Sequence, residues 1–489
     1  MMPSSSSTDR WERTNLRLVA QNDSSSNSAT REDYYLCLPT SSSDSSRSVV
    51  HETKNDGDDD DEQQQQLRAR RLLQFMALDR YLASVPQLAD SSRQLLLSAV
   101  QNHHRPKVIT SSNSGRVINV LQGEIAHCTP TQADVLVSDD ATTCHILGLW
   151  SRLCYSSSSA QQHYQMQQQP KGRDGGGGSA STLATLAHID SPHYQDCIKD
   201  AVNLHYQYHC SQLPHEQQQQ QRTQLNGEDT FLPVIELSIH LMGGYNDNDG
   251  TSHEITDGVL RALANVSDDY VSRQPRLQMT LRTCAVLSAN DNGSGCPIGR
   301  GLALDVSSGR VYLAEVEEED LESSSPQVNT TVGSTATTVV TTASARGPDC
   351  LLRSARLWAS FFFNNSDDND SGNIQRRLQT VHHPNNDCLY IYPFYFAPHP
   401  YPQQMLTLND ARLLQYTSSS PEVEKDNFVR CVRETFKYMN RTSCFHVFKK
   451  RETDEEGDET DGWDYGWDDG DYLPRRYRRV GLNGWAIVA

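Results

Sequence analysis

Apolar residues in this chain fall in short runs separated by long polar stretches, and their period changes from run to run. Alternating or continuous apolar runs predict strands over 117–121, 125–127, 135–137, 182–187, 234–241, 278–287 and 389–396. Residues 301–306 and 309–316 read as a hairpin about a Ser-Ser-Gly turn. Apolar positions three and four apart predict helices over 67–83, 90–100, 196–208, 252–264, 351–363 and 427–439. Strands mixed with isolated helices, without regular β-α-β alternation, predict an α+β fold or a layered sandwich.

The intervening polar stretches set the domain plan. Residues 1–66 are Ser-rich, then acidic, then Gln-rich, and hold too few apolar side chains for a core; they are expected to be a disordered extension. Segments near 156–181, 211–230 and 317–348 are expected to be disordered insertions within one folded domain spanning 67–450. Residues 451–489 read as an acidic tail whose tip, 477–488, forms a last strand. Only 36% of the 489 residues are hydrophobic, which favours one domain carrying insertions over the several that length alone allows.

A net charge of −19, with no basic stripe interleaved with aromatics, argues against a nucleic-acid partner. The basic cluster Arg475, Arg476, Arg478 and Arg479 follows the acidic run 452–471 and is expected to pair with it. Twelve cysteines without Cys-x-x-Cys spacing predict free thiols in a reducing compartment, cytoplasmic or nuclear. No signal-peptide core or membrane-length apolar run is present, so no membrane partner is expected. Other chemistries fail on detail. Gly175 to Gly178 lacks the Lys-Ser/Thr of a phosphate loop, and residues 367–372 lack the calcium-binding Glu that should follow. His205, His209 and Cys210 have metal-ligand spacing but no helpful acidic partner.

The candidate chemistry centres on Cys144, in a polar connection between apolar runs 135–137 and 146–150. A cysteine fixed at such a turn can aim its sulfur from a rigid backbone, as covalent catalysis requires. A packing cysteine beside a hydrophilic turn is the alternative that the residues leave open.

The nonapeptide Ser138-Asp139-Asp140-Ala141-Thr142-Thr143-Cys144-His145-Ile146 resembles the nucleophile motif of the protein N-terminal asparagine amidohydrolase family. Further similar segments follow in the same order: 240–245 with its Gly243-Gly244-Tyr245, 301–306 with Val311-Tyr312, the aromatic 389–402, and 428–439. The resemblance implies an α+β fold layered as an α/β/β sandwich, like that of cysteine deamidases. It implies hydrolysis of the side-chain amide of an N-terminal Asn to Asp, with ammonia released through a Cys144 thioester. The substrates would be proteins or peptides beginning with Asn, and the products would enter N-degron, ubiquitin-dependent degradation. Neither metal nor organic cofactor is implied, and a monomer is expected.

Amide hydrolysis needs a base near the thiol, and His188, ending a strand downstream, is the candidate; His193 is held in reserve. His145, adjacent to Cys144 on a strand, should point to the opposite face. By resemblance to the related deamidases Ser138 orients the imidazole, with Asp140 and Asp190 as rivals. Backbone N–H groups around Thr143 and Cys144 would hold the oxyanion. Asp139 or Asp140 could receive the substrate α-ammonium, or simply cap the turn. Gly243 and Gly244 could admit substrate close to backbone, or only bend the chain. Tyr392, Pro393 and Phe394 could wall the pocket. Two rival functions remain: a cysteine deamidase of internal glutamine or small amides, and a non-catalytic binding protein with a degenerate site.

Overall fold

One ten-residue run, His145–Cys154, is apolar on both faces, as a strand must be when it is covered from two sides. A computed structural model describes residues 11–18, 34–39, 77–101, 106–110, 115–154, 181–213, 233–293, 295–316, 342–343, 346–363, 377–450, 472–482 and 484–488. Its strands begin with β1 (Trp11–Leu18), β2 (Tyr34–Pro39), β3 (Lys107–Ile109), β4 (Val117–Asn119), β5 (Glu124–Cys128) and β6 (Val135–Ala141). Then come β7 (His145–Cys154), β8 (Thr182–Ile189), β9 (Val234–Gly243), β10 (Arg276–Val286), β11 (Arg300–Asp305) and β12 (Val311–Val316). The last are β13 (Thr342–Ala343), β14 (Gln379–His383), β15 (Asn386–Ile391), β16 (Arg475–Val480) and β17 (Gly484–Val488). Helices are α1 (residues 77–84), α2 (Pro86–Gln101), α3 (Gln195–Ser211) and α4 (Thr251–Asp269). They continue with α5 (Cys350–Phe363), α6 (Pro400–Leu406), α7 (Asp410–Thr417) and α8 (Phe428–Arg441).

The strands form two sheets. The larger has the order β13-β17-β16-β15-β14-β5-β8-β7-β9-β10-β1-β2, and the smaller β3-β12-β11-β6-β4. Along β7, successive side chains alternate between two cores. Leu147 and Leu149 join Ile255, Val259 and Leu263 of α4 and Ile198 and Val202 of α3. Ile146 and Trp150 join Leu136, Leu302 and Leu304 of the smaller sheet. Helices therefore cover one face of the large sheet and the small sheet covers part of the other, an α+β sandwich. The rest of that second face is closed by α5 and α8. In α8, Val432, Thr435, Phe436 and Met439 recur at helical spacing and are buried, and Trp358 of α5 meets Phe436 edge-on at 5.0 Å.

The helices expected at 196–208, 252–264, 351–363 and 427–439 are present with slightly different bounds, as is the hairpin of β11 and β12. Two expectations need correction. Within the supposedly disordered extension, 11–18 and 34–39 are strands, and Leu16, Leu18 and Leu36 have no exposed surface. Their few apolar residues suffice because β1 adds to an existing core by pairing in parallel with β10. The run at 389–396 is a strand only to Ile391, and β14 before it was not anticipated. The insertions at 156–181, 211–230 and 317–348 fall mostly outside the described residues, and so does the acidic run 452–471. The basic cluster lies within β16. Arg475 pairs with Asp349 at 3.1 Å, and Arg479 lies over the Trp485 ring at 4.3 Å.

A buried ion pair ties α5 to the turn between the sheets. Arg353 and Glu124 are 4% and 2% exposed and meet through two contacts, one of them Nε to Oε1 at 2.9 Å. Arg353 Nη2 also donates to Asn119 O at 2.7 Å, and Glu124 Oε2 accepts from Leu121 N at 2.9 Å, fixing the 119–121 turn from both sides. Removing one member leaves the other charge buried and unpaired. Arg353→Met is therefore expected to destabilise the protein by about 3–5 kcal/mol in urea unfolding. A loss near zero would mean that the pair contributes nothing to the fold.

Candidate active site

Cys144 ends the crossing from one sheet to the other. β6 belongs to the small sheet and β7 to the large one, so residues 142–144 bridge the gap between them. Asp140 makes the turn with φ of +61°, a region that Asp tolerates better than most residues. Cys144 is partly exposed and packs against the inter-sheet core, on the same side as Ile146.

His188 is brought to the same side by register. Ile146 is the antiparallel partner of His188 on β8, so Cys144, two residues before Ile146, lies diagonal to it. Such diagonal positions stand about 7–8 Å apart along an antiparallel pair, within reach of a long side chain. Across the gap, Ser138 of β6 lies 2.8 Å from His188 Nδ1. Ser138 Oγ donates to Val120 O at 2.6 Å, so toward the ring it accepts, and Nδ1 carries the hydrogen. Nε2 is then left with its lone pair, and it is buried with no hydrogen-bond partner. Burial holds the His188 pKa below that of a free imidazole, against the pull of Asp190, so the ring is neutral.

The sulfur is also uncharged at rest. Burial raises the Cys144 pKa, and the nearby negative charges of Asp190 and Glu424 raise it further.

Of the rivals to Ser138, Asp190 is occupied elsewhere: it accepts from Tyr194 Oη at 2.7 Å and Gln122 Nε2 at 3.0 Å. Asp140 pairs with Lys425 Nζ at 2.7 Å. His193 is exposed on the turn before α3. His145 points away, as expected. It faces α4, where its Nε2 lies 2.7 Å from Thr256 Oγ1, and burial pushes its pKa down to about 3. His205 and His209 bond Ser151 Oγ at 2.6 and 2.8 Å on that same face. Tyr392 is exposed beside Tyr390, while Phe394 stacks on Phe396 at 5.3 Å, so this segment packs within its own region of the core.

Asp139 is buried and held by Arg346 at 3.2 Å, Lys425 at 3.5 Å and Val316 N–H at 3.2 Å. Asp140 is more open, with a side chain 45% exposed. Desolvation and the neighbouring Asp139 push its pKa up to about 6, while Lys425 pulls the other way. Thr143 Oγ1 lies 3.2 Å from Ser419 Oγ, and its carbonyl accepts from Ser252 Oγ at 3.4 Å. The 418–425 segment thus lies over the loop, adding Glu424 and Lys425 to the site. Sequence reasoning missed both, because about 280 residues of chain separate them from Cys144 and no spacing rule spans that distance.

Gly243 and Gly244 are backbone supports. Gly243 is the β9 partner of His145, with φ of +116°, and a Cβ there would strike the Cys144 carbonyl oxygen. Gly244 N–H donates to that carbonyl at 2.9 Å, and a Cβ on Gly244 would enter the His145 ring. Both glycines let β9 close on the Cys144 backbone. No group of His, Cys, Asp or Glu among the described residues is arranged to hold a metal ion.

A buried neutral imidazole with an unpartnered nitrogen, its other nitrogen on a serine, is thus set diagonal to a cysteine at the crossing between the two sheets. The chain belongs to the protein N-terminal asparagine amidohydrolase family, whose model matches residues 107–327 and 320–462. It is 22% identical over 208 residues to the human protein N-terminal asparagine amidohydrolase, covering 42% of this chain and 51% of that one. The pig and mouse proteins of the same name are each 23% identical over 208 residues, 42% of this chain and 50% and 51% of theirs. The chain thus spans about half the length of each relative.

Gly244 has φ of +65° and its Cβ space is filled by the His145 ring. Gly244→Ala is therefore expected to cost about 1–3 kcal/mol of stability in chemical denaturation. An unchanged midpoint would show that ring and strand can move apart freely.

Proposed function

We propose that this protein hydrolyses the side-chain amide of an N-terminal asparagine in proteins or peptides, giving aspartate and ammonia. Family membership supports the reaction class, and the Cys144–His188–Ser138 arrangement supports the mechanism. The observation that carries it is the buried, unpartnered Nε2 of His188, on the face shared with Cys144 and tied by its other nitrogen to Ser138.

The thiol proton passes to Nε2 as sulfur bonds to the carboxamide carbon and the C=O electron pair moves to oxygen. His188 returns that proton to nitrogen as the C–N bond breaks and ammonia leaves. Water, deprotonated by the same ring, then opens the thioester to release the Asp terminus and the thiol. Backbone N–H groups about Thr143 and Cys144 serve the oxyanion. Asp140, the more open carboxylate, receives the substrate α-ammonium in exchange for Lys425, while Asp139 stays with its internal cations. The acidic surroundings that disfavour a resting thiolate, Asp190 and Glu424, suit a substrate bearing a positive charge. Products beginning with Asp would enter N-degron degradation in the cytoplasm or nucleus.

Mass spectrometry of an Asn-initiated peptide is expected to detect deamidation and ammonia release, absent in Cys144→Ala. The Nα-acetyl-Asn and Gln-initiated peptides should stay intact; turnover of the acetylated peptide would point to a different amidase. Ser138→Ala frees the imidazole to turn, and kcat should fall about 10- to 100-fold. The Asp140 carboxyl, raised to about 6, binds ammonium only when ionised. kcat/KM should therefore fall as pH drops through about 6, and Asp140→Asn should lose that limb together with most of its affinity. An acid limb unchanged in Asp140→Asn would remove Asp140 from the binding site.

A further inference from the structure

Two carboxylates beside the cysteine loop already hold a primary ammonium. Lys425 Nζ lies 2.7 Å from Asp140 Oδ1 and 3.5 Å from Asp139 Oδ2. Asp139 also has Arg346 at 3.2 Å and the Val316 N–H at 3.2 Å, so its charge is balanced inside the fold without the lysine. Asp140, four residues before Cys144, is the carboxylate to which Nζ stands closer.

The lysine backbone is braced by other bonds. Lys425 O accepts from Phe428 N–H at 2.9 Å where α8 begins, and Val423 N–H donates to Ser420 O at 3.1 Å. Ser418 Oγ donates to Glu424, and Ser419 Oγ lies 3.2 Å from Thr143 Oγ1. The 418–425 segment is thereby held over the loop by contacts in which Nζ has no part. The side chains of Lys425 and Asp140 are 32% and 45% exposed, against 5% for Asp139. A flexible four-carbon arm on a fixed backbone can swing its head into water and leave the segment in place.

A lysine head and the α-ammonium of a chain are the same kind of donor, a unit positive charge with N–H groups on a primary nitrogen. Exchanging one for the other keeps the charge about Asp139, Asp140 and Arg346 unchanged. A blocked terminus cannot make that exchange, because admitting it would leave a partly buried carboxylate unpaired. We propose that Lys425 is a resident stand-in for the substrate's α-ammonium, and that the contest between them sets both the affinity for substrate and the refusal of blocked termini. This rests on the amidohydrolase reading above, and adds that the chain fills its own ammonium position until a free terminus arrives. A tethered competitor acts at high effective concentration, so it weakens every ligand of that position.

The test is calorimetric binding to the full chain carrying Cys144→Ala, above the pH of about 6 at which Asp140 titrates. The ligands are a peptide beginning with Asn and its Nα-acetylated form, and the first alone should bind. Adding Lys425→Ala removes the competitor, and the Asn peptide should bind about tenfold more tightly. In that variant methylammonium should reverse most of the gain. Tetramethylammonium at the same ionic strength has the charge but no N–H, and should not. Should Lys425→Ala fail to fold, Lys425→Arg carries the test: its guanidinium grips a carboxylate more firmly, and the Asn peptide should bind about tenfold more weakly. Equal or weaker binding of the Asn peptide by folded Lys425→Ala, identical action of the two salts, or unchanged binding in Lys425→Arg would reduce Lys425 to a brace and overturn this inference alone. Binding of neither peptide by the Cys144→Ala protein, or equal binding of both, would overturn the amidohydrolase reading and this inference with it.

Discussion

β7 is hydrogen-bonded along its length to β8 on one side and β9 on the other, and both of its faces are buried. A slip of one residue would move Ile146, Gly148 and Trp150 to the helical face and Leu147 and Leu149 to the inter-sheet face, breaking both cores at once. The same register holds Cys144 and His188 toward the small sheet and His145 toward α4. The side-chain geometry of the site is therefore a consequence of core packing. The small sheet completes it by bringing Ser138 across the gap to the imidazole.

The crossing from sheet to sheet asks unusual things of the chain. A left-handed Asp140, two glycines with positive φ in the adjoining strand and a wholly buried Asn290 are linked, directly or through one another, to the backbone about Cys144. Each serves the backbone of the loop. The electrostatics serve another end: burial keeps both sulfur and imidazole neutral, while carboxylates from separate parts of the chain surround them.

The opposite face of the same strands carries a second polar system of a different kind. His127, Thr185, His205, Ser151 and His209 form a run of hydrogen bonds of 2.6 to 2.8 Å beneath α3. Its rings are buried and held neutral, and their nitrogens are largely taken up by hydroxyls. Paired metal-like spacing at His205 and His209 thus reflects a helix packing onto a sheet through hydrogen bonds.

Local order left legible traces in the chain. Period and run length located α3, α4, α5, α8 and the β11–β12 hairpin, because each buries one face and its apolar residues must repeat accordingly. The nonapeptide singled out Cys144, and the order of Cys and His along the chain suggested His188. Strand alternation sent His145 the other way. Tertiary structure alone decided that the cysteine loop joins two different sheets. It decided that Ser138, rather than Asp190, faces the imidazole, and that Glu424, Lys425 and Asn290 are brought to the surroundings of the cysteine loop. It also found strands at Trp11–Leu18 and Tyr34–Pro39, where composition had predicted none. The reason is one of range. Apolar period and turn chemistry act over a few residues and are written locally, whereas sheet partners and charges separated by scores or hundreds of residues meet only through three-dimensional packing.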